Sequence, residues 1–272
     1  MKLLLHACCG PCSLEPTRLL KAAGHDITIY YANSNIHPAE EYEHRLATLR
    51  AWAADAGFEV LEGPYDPATW EACAGRIGDA AIAEVERARA ETGAEDERAG
   101  KGTAPRAAVL SVDPARREAR CRACYRLRLE ETARVAAERG FEGIGTTLSV
   151  SPYQYTQVIR EEVERAAAQA GVAPVFEDFR PYYDEATRES RELGMYRQNF
   201  CGCRISDLEA AAERAERKEQ RAAAKAAERA AHADERAAEE AARAAHKAER
   251  AAYDKKQARK RAILKALREQ GK

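Results

Sequence analysis

An α/β fold with a parallel sheet is what this chain of 272 residues predicts. Two observations carry that expectation. Short apolar or β-branched runs alternate with Ala-, Leu- and Glu-rich stretches of helical spacing through residues 1–206. The connections between successive strands are too long for hairpins and long enough for a covering helix, which requires parallel strands with helices on both faces.

Lys2–His6 is a short apolar run ending at a cysteine loop, and Glu15–Ala23 reads as a helix closed by Gly24. Asp26–Tyr31 is β-branched and aromatic, the pattern of a buried strand. Pro38–Ala56 repeats apolar residues at helical spacing and stops at Gly57, and Phe58–Leu61 is the next strand, ending at Gly63-Pro64. Arg126–Arg139 reads as a helix that opens just after a central cysteine pair and stops at Gly140. Gly143–Leu148 is a strand leading into Ser149-Val-Ser-Pro152, Tyr155–Ala170 a helix, and Val172–Phe176 the last strand. Sites in such sheets lie at the carboxyl ends of strands. The loops carrying Cys8, Cys9 and Ser149–Gln154 each follow a strand directly and are expected on one rim.

Two segments depart from the alternation. Residues 76–118 are Ala-, Arg-, Glu- and Gly-rich and read as an insertion, a solvated helix over Asp79–Glu91 followed by a mobile loop. Residues 207–272 are dominated by Ala, Glu, Arg and Lys, a strongly helical composition without the apolar heptads of a coiled coil. The expected organisation is a catalytic α/β domain over 1–206 and a helical tail over 207–272, one long exposed helix or a partly frayed one. The net charge of −1 averages unlike parts: the tail holds 18 Lys and Arg against 13 Asp and Glu. A modestly basic tail on an acidic body is compatible with a polyanionic partner. The N-terminal apolar run is too short for a signal peptide, and no stretch reaches the roughly 20 apolar residues of a membrane span. A cytoplasmic protein is expected, and there cysteine clusters mean metal or redox chemistry more often than structural disulfides.

Seven of the eight cysteines fall into three tight clusters: Cys8-Cys9-Gly-Pro-Cys12, Cys121-Arg-Ala-Cys124 and Cys201-Gly-Cys203. Clusters this far apart make sense if the fold gathers them around something that thiols bind or exchange. Soft thiolates suit iron–sulfur clusters and zinc, and a four-iron cluster takes four cysteines. The vicinal pair and the CxxC pair together supply four ligands from two loops. The CxxC pair, set at a helix N-terminus, would also gain from the dipole that favours thiolate. In Cys201-Gly-Cys203 the single glycine permits a small, strained disulfide ring, and strained disulfides are the readily reduced, catalytic or regulatory ones. A zinc-stabilised or disulfide-stapled fold is the structural alternative, and Cys73, alone near Trp70, reads as ordinary packing.

Four motifs carry a resemblance: His6-Ala-Cys-Cys-Gly-Pro-Cys12, Cys121-Arg-Ala-Cys-Tyr-Arg-Leu-Arg-Leu-Glu-Glu-Thr-Ala133, Thr147-Leu-Ser-Val-Ser-Pro-Tyr-Gln154 and Met195-Tyr-Arg-Gln-Asn-Phe-Cys-Gly-Cys203. Together, and in this order over 1–206, they resemble epoxyqueuosine reductase of the QueH type. The resemblance implies a fold like that of the adenine nucleotide alpha hydrolases (HUP-like). It also implies reductive removal of the epoxide oxygen of epoxyqueuosine at the wobble position of a tRNA, giving queuosine. It implies a [4Fe–4S] cluster on Cys8, Cys9, Cys121 and Cys124, and a single additional iron beside it, for which Cys12 is the nearest candidate. It implies a redox-active disulfide between Cys201 and Cys203, and a low-potential electron donor. Deoxygenating an epoxide consumes two electrons and two protons and releases water, chemistry that a cofactor rather than a side chain must carry.

Ser151, Pro152, Tyr153 and Gln154 offer a hydroxyl, an amide and an aromatic face to a flipped-out nucleotide. Arg197, with Tyr125, Arg126, Arg128, Tyr196 and Gln198, adds phosphate charge and stacking surface beside the cysteines. Arg128 and Tyr125 read equally as a carboxylate partner and a core filler, and His6 as a satisfied buried histidine with proton donor as its alternative role. An ATP-dependent tRNA-modifying enzyme of the same fold needs a Gly-rich phosphate loop where this chain has Cys8-Cys9-Gly10-Pro11-Cys12. A zinc-bound RNA-binding adaptor would use the thiols structurally, and a thioredoxin-like oxidoreductase would leave two clusters unexplained.

Overall fold

The computed structural model describes residues 1–91 and 109–270. The chain forms two compact units, Met1–Glu213 and Arg214–Lys272.

The first unit is built on five parallel strands: β1 (Lys2–His6), β2 (Asp26–Tyr31), β3 (Glu59–Glu62), β4 (Gly143–Thr146) and β5 (Ala173–Pro174). Their spatial order is β3-β2-β1-β4-β5. The chain first winds outward from β1 to β3, then returns to lay β4 on the other side of β1. The crevice beyond the carboxyl ends of β1 and β4 is therefore the point where the winding reverses, the place where sheets of this kind bind ligands. Register fixes that rim, with His6 opposite Thr146 and the Thr147 N–H donating to the His6 carbonyl at 2.9 Å.

Alternation along β1 supplies both faces of the sheet. Leu4 packs with Tyr30, Leu129, Ile144 and Val163 on one side, and Leu3 and Leu5 pack with Ile29, Tyr31, Leu46 and Phe179 on the other. All three leucines are fully buried, each contributing about 1.5–3 kcal/mol. The first face is covered by α5 (Pro114–Glu138) and α6 (Thr156–Ala170), the second by α1 (Leu14–Ala22), α2 (Ala39–Ala56) and α7 (Tyr183–Glu192). Helix α2 buries Tyr42, Leu46, Leu49 and Ala53, the stripe that its spacing predicts, and Gly57 ends it at φ +75°, a conformation open to glycine.

Three elements differ from expectation. Helix α5 starts at Pro114 rather than Arg126, because the Asp113 carboxylate accepts the Ala115 and Arg116 N–H groups and Pro114 fits the first helical position. The strand expected over Val172–Phe176 is reduced to Ala173–Pro174, where proline lacks the ladder N–H. The helix expected over Asp79–Glu91 is α4 (Arg76–Glu91), which follows the short α3 (Pro67–Trp70) and a π-helical turn at Glu71–Gly75. It is not solvated all round: Gly78 and Ala81 are buried, and a Cβ on Gly78 would lie 2.2 Å from Ile205 Cδ1. The loop expected after it falls outside the described residues.

Helix α8 (Arg204–Ala231) begins in the first unit, where Ile205, Ser206, Glu209 and Ala212 are buried. The second unit holds the rest of α8 and α9 (Ala233–Gln270), a helical tail with one interruption. No helix-breaking residue marks the interruption at His232, whose ring contacts Glu235 at 2.9 Å. Among the described residues no helix is long and apolar enough to cross a membrane.

Candidate metal and redox centre

The first cysteine segment continues β1 without a break. Ala7 N–H donates to the Tyr30 carbonyl, the chain turns at Gly10, and a 3-10 turn at Pro11–Ser13 leads into α1. Ser13 locks the turn: its N–H donates to Gly10 O and its hydroxyl to Cys9 O, both at 2.9 Å. The loop is pressed so close that a Cβ on Gly10 would sit 3.2 Å from Thr48 and 3.3 Å from Met195. As a result the sulfurs of Cys8, Cys9 and Cys12 all lie within 4.8 Å of one another, with Cys8 and Cys9 3.8 Å apart. Two thiolates about 2.3 Å from one tetrahedral ion stand roughly 3.8 Å from each other, so this trio could bind a metal. Hydrogen bonds from Cys12 and Cys9 hold the Cys8 thiol well below its ordinary pKa, against the opposing effect of burial. The Cys12 S–H favours a Cys9 thiolate, but the bond to Cys8, together with burial, outweighs it and pushes Cys9 up to about 12. Binding a metal through Cys9 or Cys12 must displace their protons.

Cys121 and Cys124 lie on one face of α5, three residues apart. With the helix starting at Pro114 they sit in its body, so the expected help from the helix N-terminus is absent. Burial pushes both thiols up to about 12. Arg120 donates to Cys121 Sγ at 3.5 Å while its guanidinium is held by the Glu209 carboxylate of α8 at 2.8 and 3.0 Å. Cys124 packs with Trp70, Ala74, Cys203 and Ile205, and Cys73 packs against the same group.

The third segment is clamped by backbone. Arg45 donates to Cys201 O at 2.9 Å and to Phe200 O at 3.3 Å, and lies over the Phe200 ring while paired with Glu41. His37 N–H donates to Gly202 O at 2.8 Å, and Gly202 N–H donates to Ser206 Oγ at 3.2 Å. Gly202 adopts φ +134°, which essentially only glycine sustains. Cys203 precedes α8, and its sulfur accepts the Ser206 N–H at 3.3 Å. Every cysteine is a free thiol, so Cys201 and Cys203 stand here as a dithiol rather than the disulfide expected from the resemblance.

Short links join the three segments. Gln198 donates to Cys9 Sγ at 3.0 Å, the Cys201 thiol faces Gln154 Oε1 at 3.9 Å, and the Tyr125 hydroxyl donates to the same oxygen at 2.5 Å. Arg128 borders Cys124, Cys8 and Cys201. Among the described residues Cys121 and Cys124 stand outside the close Cys8–Cys9–Cys12 trio. Thiolates that bind separate irons of one cluster do lie farther apart than thiolates on a single ion.

The remaining candidates divide by exposure. Pro152 and Tyr153 are exposed, Tyr153 at 82%, whereas Ser151 and Gln154 are half-buried. Arg197 donates to Thr187 O at 2.8 Å and to the Ser190 hydroxyl, bracing its loop on α7. His6 is fully buried between the Thr146 hydroxyl at 3.0 Å and Ala32 O at 3.3 Å. A carbonyl can only accept, so Nε2 carries the proton and the Thr146 hydroxyl donates to Nδ1. Burial, reinforced by the Arg128 charge, presses its pKa down to about 3, which leaves a neutral histidine with both nitrogens engaged.

Sequence reasoning passed over Asn33, Asn35, Arg45 and Arg120. Arg45 had a readable signal, a cation on the apolar stripe of α2. Buried polar atoms without hydrogen bonds gather at this centre: Arg128 Nε and Nη1, Trp70 Nε1, Gln198 Oε1 and both amide atoms of Asn35. Arg128 and Trp70 face cysteine sulfur, Gln198 holds Cys9, and Asn35 abuts Gly202. Such groups are normally satisfied in a folded protein. Soft thiols beside the unsatisfied N–H donors of Arg128, Trp70 and Asn35 fit a bound, anionic metal–sulfur group.

Comparison with known proteins bears on the same residues. The family profile described as epoxyqueuosine reductase QueH matches residues 3–89 and 105–209, spans that include all seven clustered cysteines. The epoxyqueuosine reductase QueH of Dehalococcoides mccartyi is 29% identical over 209 residues, covering 76% of this chain and 93% of the relative. That of Thermotoga maritima is 30% identical over 216 residues, covering 78% and 94%. That of Histophilus somni is 30% identical over 212 residues, covering 74% and 70%. With the family matched across most of the first unit, this chain is an oxidoreductase that belongs to the epoxyqueuosine reductase QueH family.

Proposed function

We infer that the chain removes the epoxide oxygen of epoxyqueuosine in a tRNA anticodon, and that Cys8, Cys9, Cys121 and Cys124 hold a [4Fe–4S] cluster with Cys12 directed at a single iron beside it. The observation that carries this reading is the family match over the cysteine segments together with the close Cys8–Cys9–Cys12 trio. The strand order supports kinship with adenine nucleotide alpha hydrolases (HUP-like), since it shares the reversal point of doubly wound nucleotide-binding sheets. One glycine and Pro11 in the loop after β1 leave few backbone donors for a triphosphate, which argues against ATP cleavage.

When bound, the iron group supplies single-electron transfer and Lewis acidity toward the epoxide oxygen. The protein's own residues prepare the substrate. Tyr153, exposed on the rim, stacks on a base of the anticodon loop, with Ser151 and Pro152 beside it. Gln154, oriented by Tyr125, faces the modified base from the side of Cys201. Arg197 adds a cation close to the phosphates. The two hydrogen bonds of His6 favour a structural role over proton donation. Oxidation of the Cys201–Cys203 dithiol to a disulfide releases two electrons and two protons, the number that removal of an epoxide oxygen as water consumes. A low-potential donor inside the cell then restores the dithiol.

Metal analysis of protein purified without oxygen tests the ligand set. Iron is expected in slight excess over sulfide, as a four-iron, four-sulfide cluster plus one further iron requires. Cluster iron, sulfide and the visible charge-transfer absorbance should all be lost when Cys8, Cys9, Cys121 or Cys124 is changed to Ser. Stoichiometric zinc without iron would sink the reading.

A further inference from the structure

Three arginines are buried around the cysteines, and two of them are neutralised. Arg45 is paired with Glu41 and Arg120 with Glu209. Arg128 differs. It is 2% exposed, it is paired with no carboxylate among the described residues, and Nη2 donates to Asn33 Oδ1 at 2.5 Å. Asn33 is itself fixed, its amide donating to Ala7 O at 2.8 Å. That bond leaves Nε and Nη1 without an oxygen partner, and the charge interacts with Cys124, Cys8 and Cys201, one cysteine from each cluster, most strongly with Cys124. A buried charge without a counter-charge is strongly disfavoured, and a guanidinium offers its donors in a rigid planar fork.

We propose that Arg128 is a positioning residue that supplies the counter-charge of the metal centre, aiming its two free N–H groups at the sulfurs of Cys8 and Cys124 and raising the reduction potential of the iron group they hold. The inference rests on the assignment of Cys8 and Cys124 as ligands. The sequence places Arg128 four residues after Cys124, one turn along α5, so the ligand and its counter-charge share a helix face. The physical basis is direct. Reduction adds an electron to a group that is already anionic, and a fixed cation with N–H donors to sulfur favours the more negative state.

The test uses the full-length holoprotein, reconstituted without oxygen, with iron content and midpoint potential measured by redox titration followed by electron paramagnetic resonance. Arg128→Gln should keep its iron and shift the midpoint to more negative potential, and Arg128→Lys, which keeps the charge, should lie between the variant and the parent. Asn33→Asp places a carboxylate against the guanidinium with little change of shape, and should shift the potential in the same direction as Arg128→Gln. If Arg128→Gln loses its iron, Asn33→Asp decides the question alone. Full iron with an unchanged potential in either variant overturns the role of Arg128 and leaves the function standing. A parent protein without redox-active iron overturns both.

Discussion

Replacing Gly202 with alanine separates backbone strain from crowding at the dithiol loop. Gly202 sits at φ +134°, and a Cβ there would lie 3.0 Å from Ile36 Cγ1, 3.1 Å from Arg45 Nη1 and 3.2 Å from Asn35 Nδ2. An unfavourable φ costs about 1–3 kcal/mol. The three contacts come from packed residues with little room to retreat, and overpacking of that kind costs about 1–3 kcal/mol more. Gly140→Ala is the matched control, because Gly140 also has positive φ, +70°, but nothing within 4 Å of its would-be Cβ. That variant should lose only about 1–2 kcal/mol. Both tryptophans, Trp52 and Trp70, lie in the first unit, so urea unfolding followed by their fluorescence reports on it alone. With a slope of about 2 kcal/mol per molar urea, Gly202→Ala should lower the midpoint by roughly 1–3 M, clearly beyond Gly140→Ala. If the two variants unfold together, or Gly202→Ala matches the parent, the loop is not held as described.

Three further outcomes follow. Burial opposes ionisation of Glu162, but Arg126 and Arg165 outweigh it and hold its pKa below the usual carboxylate value. A depressed carboxylate pKa stabilises the fold above the unfolded value and loses that stabilisation as pH falls through the folded one. Glu162→Gln should therefore cost about 2–4 kcal/mol at pH 7, a difference that closes in urea unfolding as the pH falls through the depressed folded pKa. Tyr153→Ala, at an exposed position, should leave the urea midpoint unchanged and weaken tRNA binding by about 1–3 kcal/mol in a filter-binding titration. Glu209→Ala strands the buried Arg120 beside Cys121 and should cost about 3–5 kcal/mol, most of it recovered when Arg120 is also made Met, measured by a double-mutant cycle in urea.

The sheet was legible because its signals are local. Asp26–Tyr31 is β-branched and alternates, and Gly57 and Gly171 stop α2 and α6 where their spacing ends. The rim was legible too, since Cys8 and Ser149 each follow an apolar run directly. The start of α5 was missed because Asp113-Pro114, a sound helix signal, stands in an Arg- and Ala-rich stretch that reads as insertion. That miss put Cys121 and Cys124 at a helix end instead of in its body, and with it the wrong source of thiol electrostatics. The polar shell was harder still. Asn33, Arg120 and Arg128 gain their meaning from partners 89–95 residues away, which no local pattern reveals.

The reaction itself is best examined on tRNA carrying epoxyqueuosine, incubated without oxygen with the iron-loaded protein and a low-potential reductant, then digested to nucleosides for mass spectrometry. Conversion to queuosine by loss of one oxygen atom is expected, and Cys201→Ser should abolish sustained turnover. Intact epoxyqueuosine after incubation with fully iron-loaded protein would contradict the proposed reaction.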